Sequence, residues 1–178
     1  SCHLKIDNVE RNYGKSDLHI HIAIAPTKMN ERFEWFLEKS TEIGINEITP
    51  IICEHSERKV LKLERMNKIL VAAMKQSKQA YLPKLNAAVS FDSFVSNNTV
   101  EERYIAHCIE NDDKKQLKEV IKKGADTLVL IGPEGDFSPK EIDHALKHGF
   151  SAVSLANNRL RTETAAIVSC HTINLINQ

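Results

Sequence analysis

No run of apolar residues in this 178-residue chain approaches the ~20 that a membrane-spanning helix needs. No basic start leads into an apolar segment of the kind that directs secretion. Glycine and proline are scarce, at six and five, which excludes collagen-like and low-complexity classes. The four cysteines (Cys2, Cys53, Cys108 and Cys170) lie far apart and form no CxxC pair, so zinc-ribbon and thioredoxin-type spacings are absent. Reduced thiols in a cytoplasmic protein are the expectation, because a chain of this length needs no disulfide staples. Charge of one sign is also missing. Lys+Arg and Asp+Glu both number 24, whereas a chain that grips nucleic acid by bulk charge is normally basic. There is no GxGxxG fingerprint, no P-loop, no HExxH and no nucleophile elbow. His144 and His148 stand four apart without a third ligand in view, so no metal is expected.

What is present is a regular alternation of element types. Residues 18–25 place Leu18, Ile20, Ile22 and Ile24 on one face and His19 and His21 on the other, predicting a half-buried strand stopped by Pro26. Asn30 then reads as a helix N-cap, with Phe33, Phe36, Leu37 and Ile43 as the apolar stripe and Gly44 as the stop. A strand is expected over 45–53, a helix over 61–80, a short helix over 91–94 and a strand over 103–109. A helix over 115–123 follows, closed by Gly124. The apolar run 127–131 predicts a strand covered on both faces. Ser138-Pro139-Lys140-Glu141 is a capping box that opens a helix ending at Gly149. A last strand over 152–156 and a last helix over 162–177 complete the pattern. Such alternation predicts an α/β domain with a mainly parallel sheet flanked by helices.

Two segments carry candidate chemistry. Ile131-Gly132-Pro133-Glu134-Gly135 sits between a buried strand and a capped helix, at the strand end where α/β sheets bind ligands. Its glycines admit close backbone approach, and Glu134 is held at the strand tip. A tight turn with a solvated glutamate is the plainer alternative. Asn157-Asn158-Arg159-Leu160-Arg161-Thr162-Glu163-Thr164 likewise links a strand to a helix. Thr162 can cap that helix, Glu163 suits its positive end, and Arg161 can pair with a carboxylate or phosphate. Capping plus a surface ion pair is the alternative there. Residues 58–84 hold eight basic side chains against the single acid Glu64, which marks phosphate contacts or simply a solvated helix face.

Read in order, further segments join these two: Lys28 with Arg32-Phe33-Glu34, residues 38–44 (Glu-Lys-Ser-Thr-Glu-Ile-Gly), Ile48-Thr49-Pro50, residues 72–77 and Leu82-Pro83. Together with GPEG and LRTETA they resemble the methyltransferase domain of the 16S ribosomal RNA uridine N3-methyltransferases (RsmE type, SPOUT class) over residues 18–178. The resemblance implies a parallel sheet with a C-terminal trefoil knot, S-adenosylmethionine as cofactor, a homodimer, and 16S rRNA of the small ribosomal subunit as substrate. It implies an upstream PUA-like RNA-binding domain, of which residues 1–15 would be the remnant and residues 16–178 the methyltransferase domain. It also implies site residues. Ile131, Gly132, Pro133, Glu134, Gly135, Leu155, Ala156, Asn157, Leu160, Arg161 and Thr162 would bind cofactor. Glu134, Arg161 and Glu163 would be catalytic. The charge distribution, rather than the resemblance, offers Arg58, Lys59, Lys62, Arg65 and Lys75, with Arg159 of the second segment, as RNA contacts. Three positions depart from the family pattern: Asp136 replaces a glycine, Ala156 another glycine, and Asn158 an arginine. A SPOUT enzyme acting on ribose 2′-hydroxyls, a non-catalytic ribosome-assembly module that binds RNA, and a dinucleotide-dependent oxidoreductase lacking its glycine fingerprint are the competing readings.

Overall fold

The computed structural model describes residues 2–109 and 114–178. The element order is β1 (Ile20–Ile24), α1 (Asn30–Ile43), β2 (Glu47–Ile52), α2 (Leu63–Gln76), β3 (Lys84–Leu85), β4 (Val89–Ser90) and α3 (Phe91–Asn97). Then come β5 (Glu102–Ala106), β6 (Lys115–Gln116), α4 (Leu117–Val120), β7 (Thr127–Ile131), α5 (Pro139–Lys147), β8 (Ser151–Ser154) and α6 (Thr162–Asn177). The strands form one sheet in the order β3-β2-β1-β7-β5-β8-β6, with β4 also on β2, and every pairing between them is parallel.

Helices cover both faces. On one, Ile20, Ile22 and Ile24 of β1 pack with Phe33, Phe36 and Leu37 of α1, Met66 and Leu70 of α2, and Ala166, Cys170 and Ile173 of α6. On the other, Ala23 and the β7 residues Leu128 and Leu130 meet Phe91 and Val95 of α3 and Ile142 and Ala145 of α5. The strand β1 is therefore buried along its whole length, not half-buried as its alternation suggests. Phe94 of α3 lies edge-on to His21, with ring centroids 5.6 Å apart, and covers that part of the histidine face, whereas His19 ahead of the strand is part-exposed. There His21 meets the Thr49 hydroxyl at 2.8 Å, and burial drives its imidazole down to about 4.

Several elements and caps differ from the sequence expectation. Asn30 is the first helical residue of α1 and Met29 the N-cap, with no side-chain cap bond. Thr162 likewise lies inside α6, whose N-cap is Arg161. The expected helix over 115–123 is a two-residue strand followed by one helical turn, because Lys115 and Gln116 pair with Val153 and Ser154 of β8. The region between α2 and α3 adds β3 and β4, each too short to show an apolar period. Helix α2 also ends at Gln76, β5 at Ala106 and β8 at Ser154, short of the expected 80, 109 and 156, whereas the helix stop at Gly44 holds. Gly44 takes φ 113° and its N–H reaches the Ser40 carbonyl at 3.0 Å, a left-handed helix end that favours glycine. Among the described residues, no helix is long and apolar enough to cross a membrane. Residues 2–17 are exposed and hold neither helix nor strand.

Candidate active-site cleft

The carboxyl ends of β5, β7 and β8 are adjacent in the sheet, so the loops leaving them meet at one edge. Between them lies a cleft with two chambers. The smaller, about 280 Å³, is lined by Ile131, Gly132, Pro133 and Glu134 after β7 and by Arg159, Leu160, Arg161 and Thr162 ahead of α6. The larger, about 580 Å³, is lined by residues 153–160 after β8 and by His107, Cys108 and Lys114. Ala106, Cys108, Arg159, Leu160 and Ala165 border both.

The two sequence motifs are tied together. Thr162 Oγ1 donates to the Gly132 carbonyl at 3.1 Å, which joins the first turn of α6 to the loop after β7. That bond replaces the capping role expected of Thr162. Gly132 is closely packed: an added Cβ would stand 3.1 Å from the Phe137 ring, which would have to give by a few tenths of an ångström. Gly135 faces His55 instead of the cleft, and an added Cβ there would stand 3.1 Å from the His55 Cβ.

Glu134 is exposed at the cleft rim, and its Oε1 accepts the Lys28 N–H at 2.9 Å. Arg161 is exposed on the wall contributed by the second motif. Arg159 Nη2 lies 3.5 Å from the Glu134 carbonyl, so a cation stands beside the carboxylate-bearing loop. Leu155, Ala156 and Asn157 line the larger chamber, with Asn157 Oδ1 accepting from Gln116 Nε2 at 3.0 Å. Glu163 does not line the cleft. It is 5% exposed, its Oε2 has no hydrogen-bond partner, and its Oε1 stands 3.8 Å from Arg32 Nε.

The candidate RNA contacts divide. Lys59, Lys62 and Lys75 are exposed. Arg65 pairs with Glu34, Nε to Oε1 at 2.7 Å and Nη2 to Oε2 at 3.0 Å. Arg58 donates to the carbonyls of Thr27 at 3.1 Å and Lys28 at 2.6 Å.

Several lining residues escaped the sequence reading. Ala106, His107 and Cys108 belong to the exit of β5, and only the strand order brings that exit beside β7 and β8. Partial burial and the Asp136 carboxylate push the Cys108 thiol up, so it remains protonated near neutrality and is no thiolate nucleophile. Burial, with Lys114 nearby, pushes His107 down and leaves it a neutral imidazole. Among the described residues, no three His, Cys, Asp or Glu side chains gather so as to hold a metal ion. His148 Nδ1 instead approaches the His144 carbonyl, at 2.8 Å.

The RNA methyltransferase domain family matches residues 14–174. A ribosomal RNA small subunit methyltransferase E from Mesomycoplasma hyopneumoniae is 30% identical over 161 residues, covering 88% of this chain and 68% of that protein. The chain spans 54–68% of the length of this and two further relatives of the same name. Among solved structures, a probable rRNA methyltransferase from Porphyromonas gingivalis superposes with TM-score 0.83 at 44% identity, over 89% of this chain and 68% of that one. A methyltransferase from Legionella pneumophila, described in complex with the bound cofactor SAM, superposes with TM-score 0.82 at 33% identity, over 90% and 67%.

Proposed function

This chain belongs to the RNA methyltransferase family, in its small-subunit ribosomal RNA methyltransferase E branch, and from that membership we propose its reaction. It transfers the methyl group of S-adenosylmethionine to N3 of a uridine in 16S ribosomal RNA. The observation that carries this reading is the cleft itself: Gly132-Pro133-Glu134 and Leu160-Arg161-Thr162 form its walls, joined through Thr162 and Gly132.

The cleft fits the cofactor. Its apolar lining (Ile131, Leu155, Leu160, Ala106, Ala165) suits an adenosine, while Arg159, Arg161, Asn157 and Lys114 supply polar groups at its edges. S-adenosylmethionine, when bound, supplies an electrophilic methyl group on a sulfonium. The protein has to exclude water, place the uracil N3 in line and ease removal of its proton. Placement supplies a large share of barrier reduction in such reactions. Glu134, held at the rim by the Lys28 N–H, is positioned to accept or orient the imide proton. Arg161, across the smaller chamber, stabilises negative charge developing on the uracil carbonyl oxygens. Glu163 is buried against Arg32 and acts on the architecture of the α6 start. The uridine has to be unpaired or flipped out, because N3 lies on the Watson–Crick edge.

The trefoil knot of the SPOUT class, the homodimer and work in the cytoplasm complete the reading. The dimer is supported by apolar groups left open on α1 and α6: Trp35 is 45% and Leu175 58% exposed, and Ile167 and Val168 are half-buried. Ile173 of the same helix is wholly buried in the core and takes no part in that face. Calorimetry with S-adenosylmethionine, followed by nucleoside analysis of RNA methylated with labelled cofactor, tests the proposal. Label in 3-methyluridine supports it. Label on a ribose 2′-oxygen, or no transfer at all, sinks it.

A further inference from the structure

Arg58 lies in the loop after β2, and both its hydrogen bonds go to protein backbone. Nε donates to the Thr27 carbonyl at 3.1 Å and Nη2 to the Lys28 carbonyl at 2.6 Å. The Thr27 carbonyl and the Lys28 N–H are the two polar ends of one planar peptide unit, and they point in opposite directions. That N–H donates to Glu134 Oε1 at 2.9 Å. The neighbouring Glu57 pairs with the Lys28 ammonium at 2.8 Å, so adjacent residues of one loop hold both the backbone and the side chain of Lys28.

We propose that Arg58 is a positioning residue for methyl transfer, holding the Thr27–Lys28 peptide so that its N–H fixes the Glu134 carboxylate at the cleft rim. The proposal rests on the role given to Glu134 above. A guanidinium suits the task because its planar fork engages two carbonyls at once, which a lysine ammonium does not reproduce. A cation on the carbonyl end also polarises the amide and strengthens what its N–H donates. Without this brace an exposed glutamate samples several rotamers, and loss of placement is costly to rate.

The test uses the full chain, saturating S-adenosylmethionine and unmethylated 16S ribosomal RNA in small subunits. Wild type is compared with Arg58→Ala, Arg58→Lys, Glu134→Ala and the Arg58→Ala/Glu134→Ala double variant. The proposal expects Arg58→Ala to lower kcat about tenfold or more. KM for RNA and its salt dependence stay close to wild type, as does cofactor affinity by calorimetry. Arg58→Lys behaves as Arg58→Ala does. In the Glu134→Ala background, Arg58→Ala has no further effect, since it acts only through that carboxylate. Amide hydrogen exchange at Lys28 speeds up in both Arg58 variants, a reading independent of activity.

A phosphate contact gives the opposite pattern: KM for RNA rises, the salt slope falls by about one, and Arg58→Lys restores function. That pattern overturns the proposal, as do effects of Arg58→Ala and Glu134→Ala that multiply in the double variant. Wild type that binds cofactor yet transfers no methyl group overturns the functional reading and the role of Arg58 with it. An active wild type with either contrary pattern overturns the role of Arg58 alone.

Discussion

The carboxylate of Asp136 accepts the backbone N–H of Cys108 at 2.7 Å, so the loop after β7 is bolted to the loop after β5 across the floor of the cleft. Its second oxygen accepts the Phe137 N–H at 2.8 Å, and its carbonyl faces His55 Nδ1 at 3.0 Å. The residue adopts φ 63°, a left-handed conformation that glycine adopts freely and aspartate tolerates. A glycine here would relieve that strain and lose both carboxylate bonds. Asp136→Gly is expected to lower stability by ~1–3 kcal/mol, because hydrogen bonds to a charged group outweigh the relief. It should also weaken cofactor binding, since Cys108 borders both chambers. Urea denaturation and calorimetry measure the two effects; a variant as stable as wild type would show the tether to be idle.

How much of this was legible in the sequence follows from the range of the forces involved. The strand 127–131 and the helix 162–177 appear with the boundaries their residues predict, because a short apolar run and a long, mostly apolar stretch opening after an arginine-threonine cap region each carry their own signal. Ser138 and Glu141 form the expected capping box, a four-residue motif. Lys115 and Gln116 mislead because nothing local marks them as strand; they become one only by pairing with Val153 and Ser154. The site divides in the same way. Gly132, Glu134, Leu160 and Arg161 sit on self-contained motifs, whereas Ala106 and Cys108 enter the cleft only through a sheet order that brings β5 beside β7 and β8. Glu163 read as exposed chemistry because a glutamate in a helix's first turn usually meets solvent; α1 covers it here through Arg32.

That burial makes Glu163 separable from Glu134 and Arg161 by experiment. Glu134→Gln and Arg161→Ala should cut the methylation rate by ~10²-fold or more with little change in thermal midpoint, because both side chains are exposed at the cleft. Glu163→Ala should lower the midpoint clearly, having left Arg32 without its carboxylate. The comparison is a melt and an initial rate for each variant. A Glu163→Ala protein that melts normally but lacks activity would return that carboxylate to the chemistry.

Glu141 offers a test of the scaffold alone. Its Oε2 accepts the Ser138 N–H at 2.8 Å inside the capping box, and its Oε1 accepts the Glu54 N–H at 2.8 Å. It therefore joins α5 to the loop after β2, while the Ser138 hydroxyl only caps, accepting the Glu141 N–H at 3.3 Å. Ser138→Ala should cost ~1 kcal/mol, the usual value of an N-cap. Glu141→Ala should cost ~2–3 kcal/mol, since two backbone donors lose a charged acceptor. Equal losses in chemical denaturation would mean that the Glu54 bond adds nothing.

Acid sensitivity should centre on His21. Its folded value is lowered to about 4 from 6.5, chiefly by burial. The unfolded chain therefore takes up a proton before the folded one does. The contribution is fully present above the unfolded value and is lost as pH falls from 6.5 towards 4. Between neutrality and about pH 5 this amounts to ~2 kcal/mol. Glu47 acts lower down. Its burial pushes it up, but hydrogen bonds from Asn86 and Lys84 and the nearby His21 and His19 more than offset this and hold it at about 2, so it matters only below 4.5. Urea titrations of wild type and His21→Gln at about pH 7.5 and pH 5 decide the matter. The wild-type chain should lose ~2 kcal/mol more than the variant. Equal losses would place the acid sensitivity elsewhere.

The last expectation concerns the basic segment, where side chains of the same charge differ in what already holds them. Lys59 and Lys62 are exposed, ahead of α2 and at its N-cap. Arg65, one turn on, is engaged by both oxygens of Glu34. A phosphate recruits an exposed ammonium at little cost, whereas it has to compete with a carboxylate for Arg65. Each phosphate contact contributes about 0.9 to the slope of log affinity against log salt on a duplex, and about 0.7 on a single strand. Lys59→Ala and Lys62→Ala should therefore each flatten the slope for small-subunit RNA by nearly one. Arg65→Ala should change it far less and should instead loosen α1 against α2, because Glu34 belongs to α1. Binding of each variant to the RNA over a series of salt concentrations gives the slopes, and a melt gives the stability. If Arg65→Ala flattens the slope as much as the lysine variants do, the Glu34 pair opens on binding and the whole segment meets the backbone.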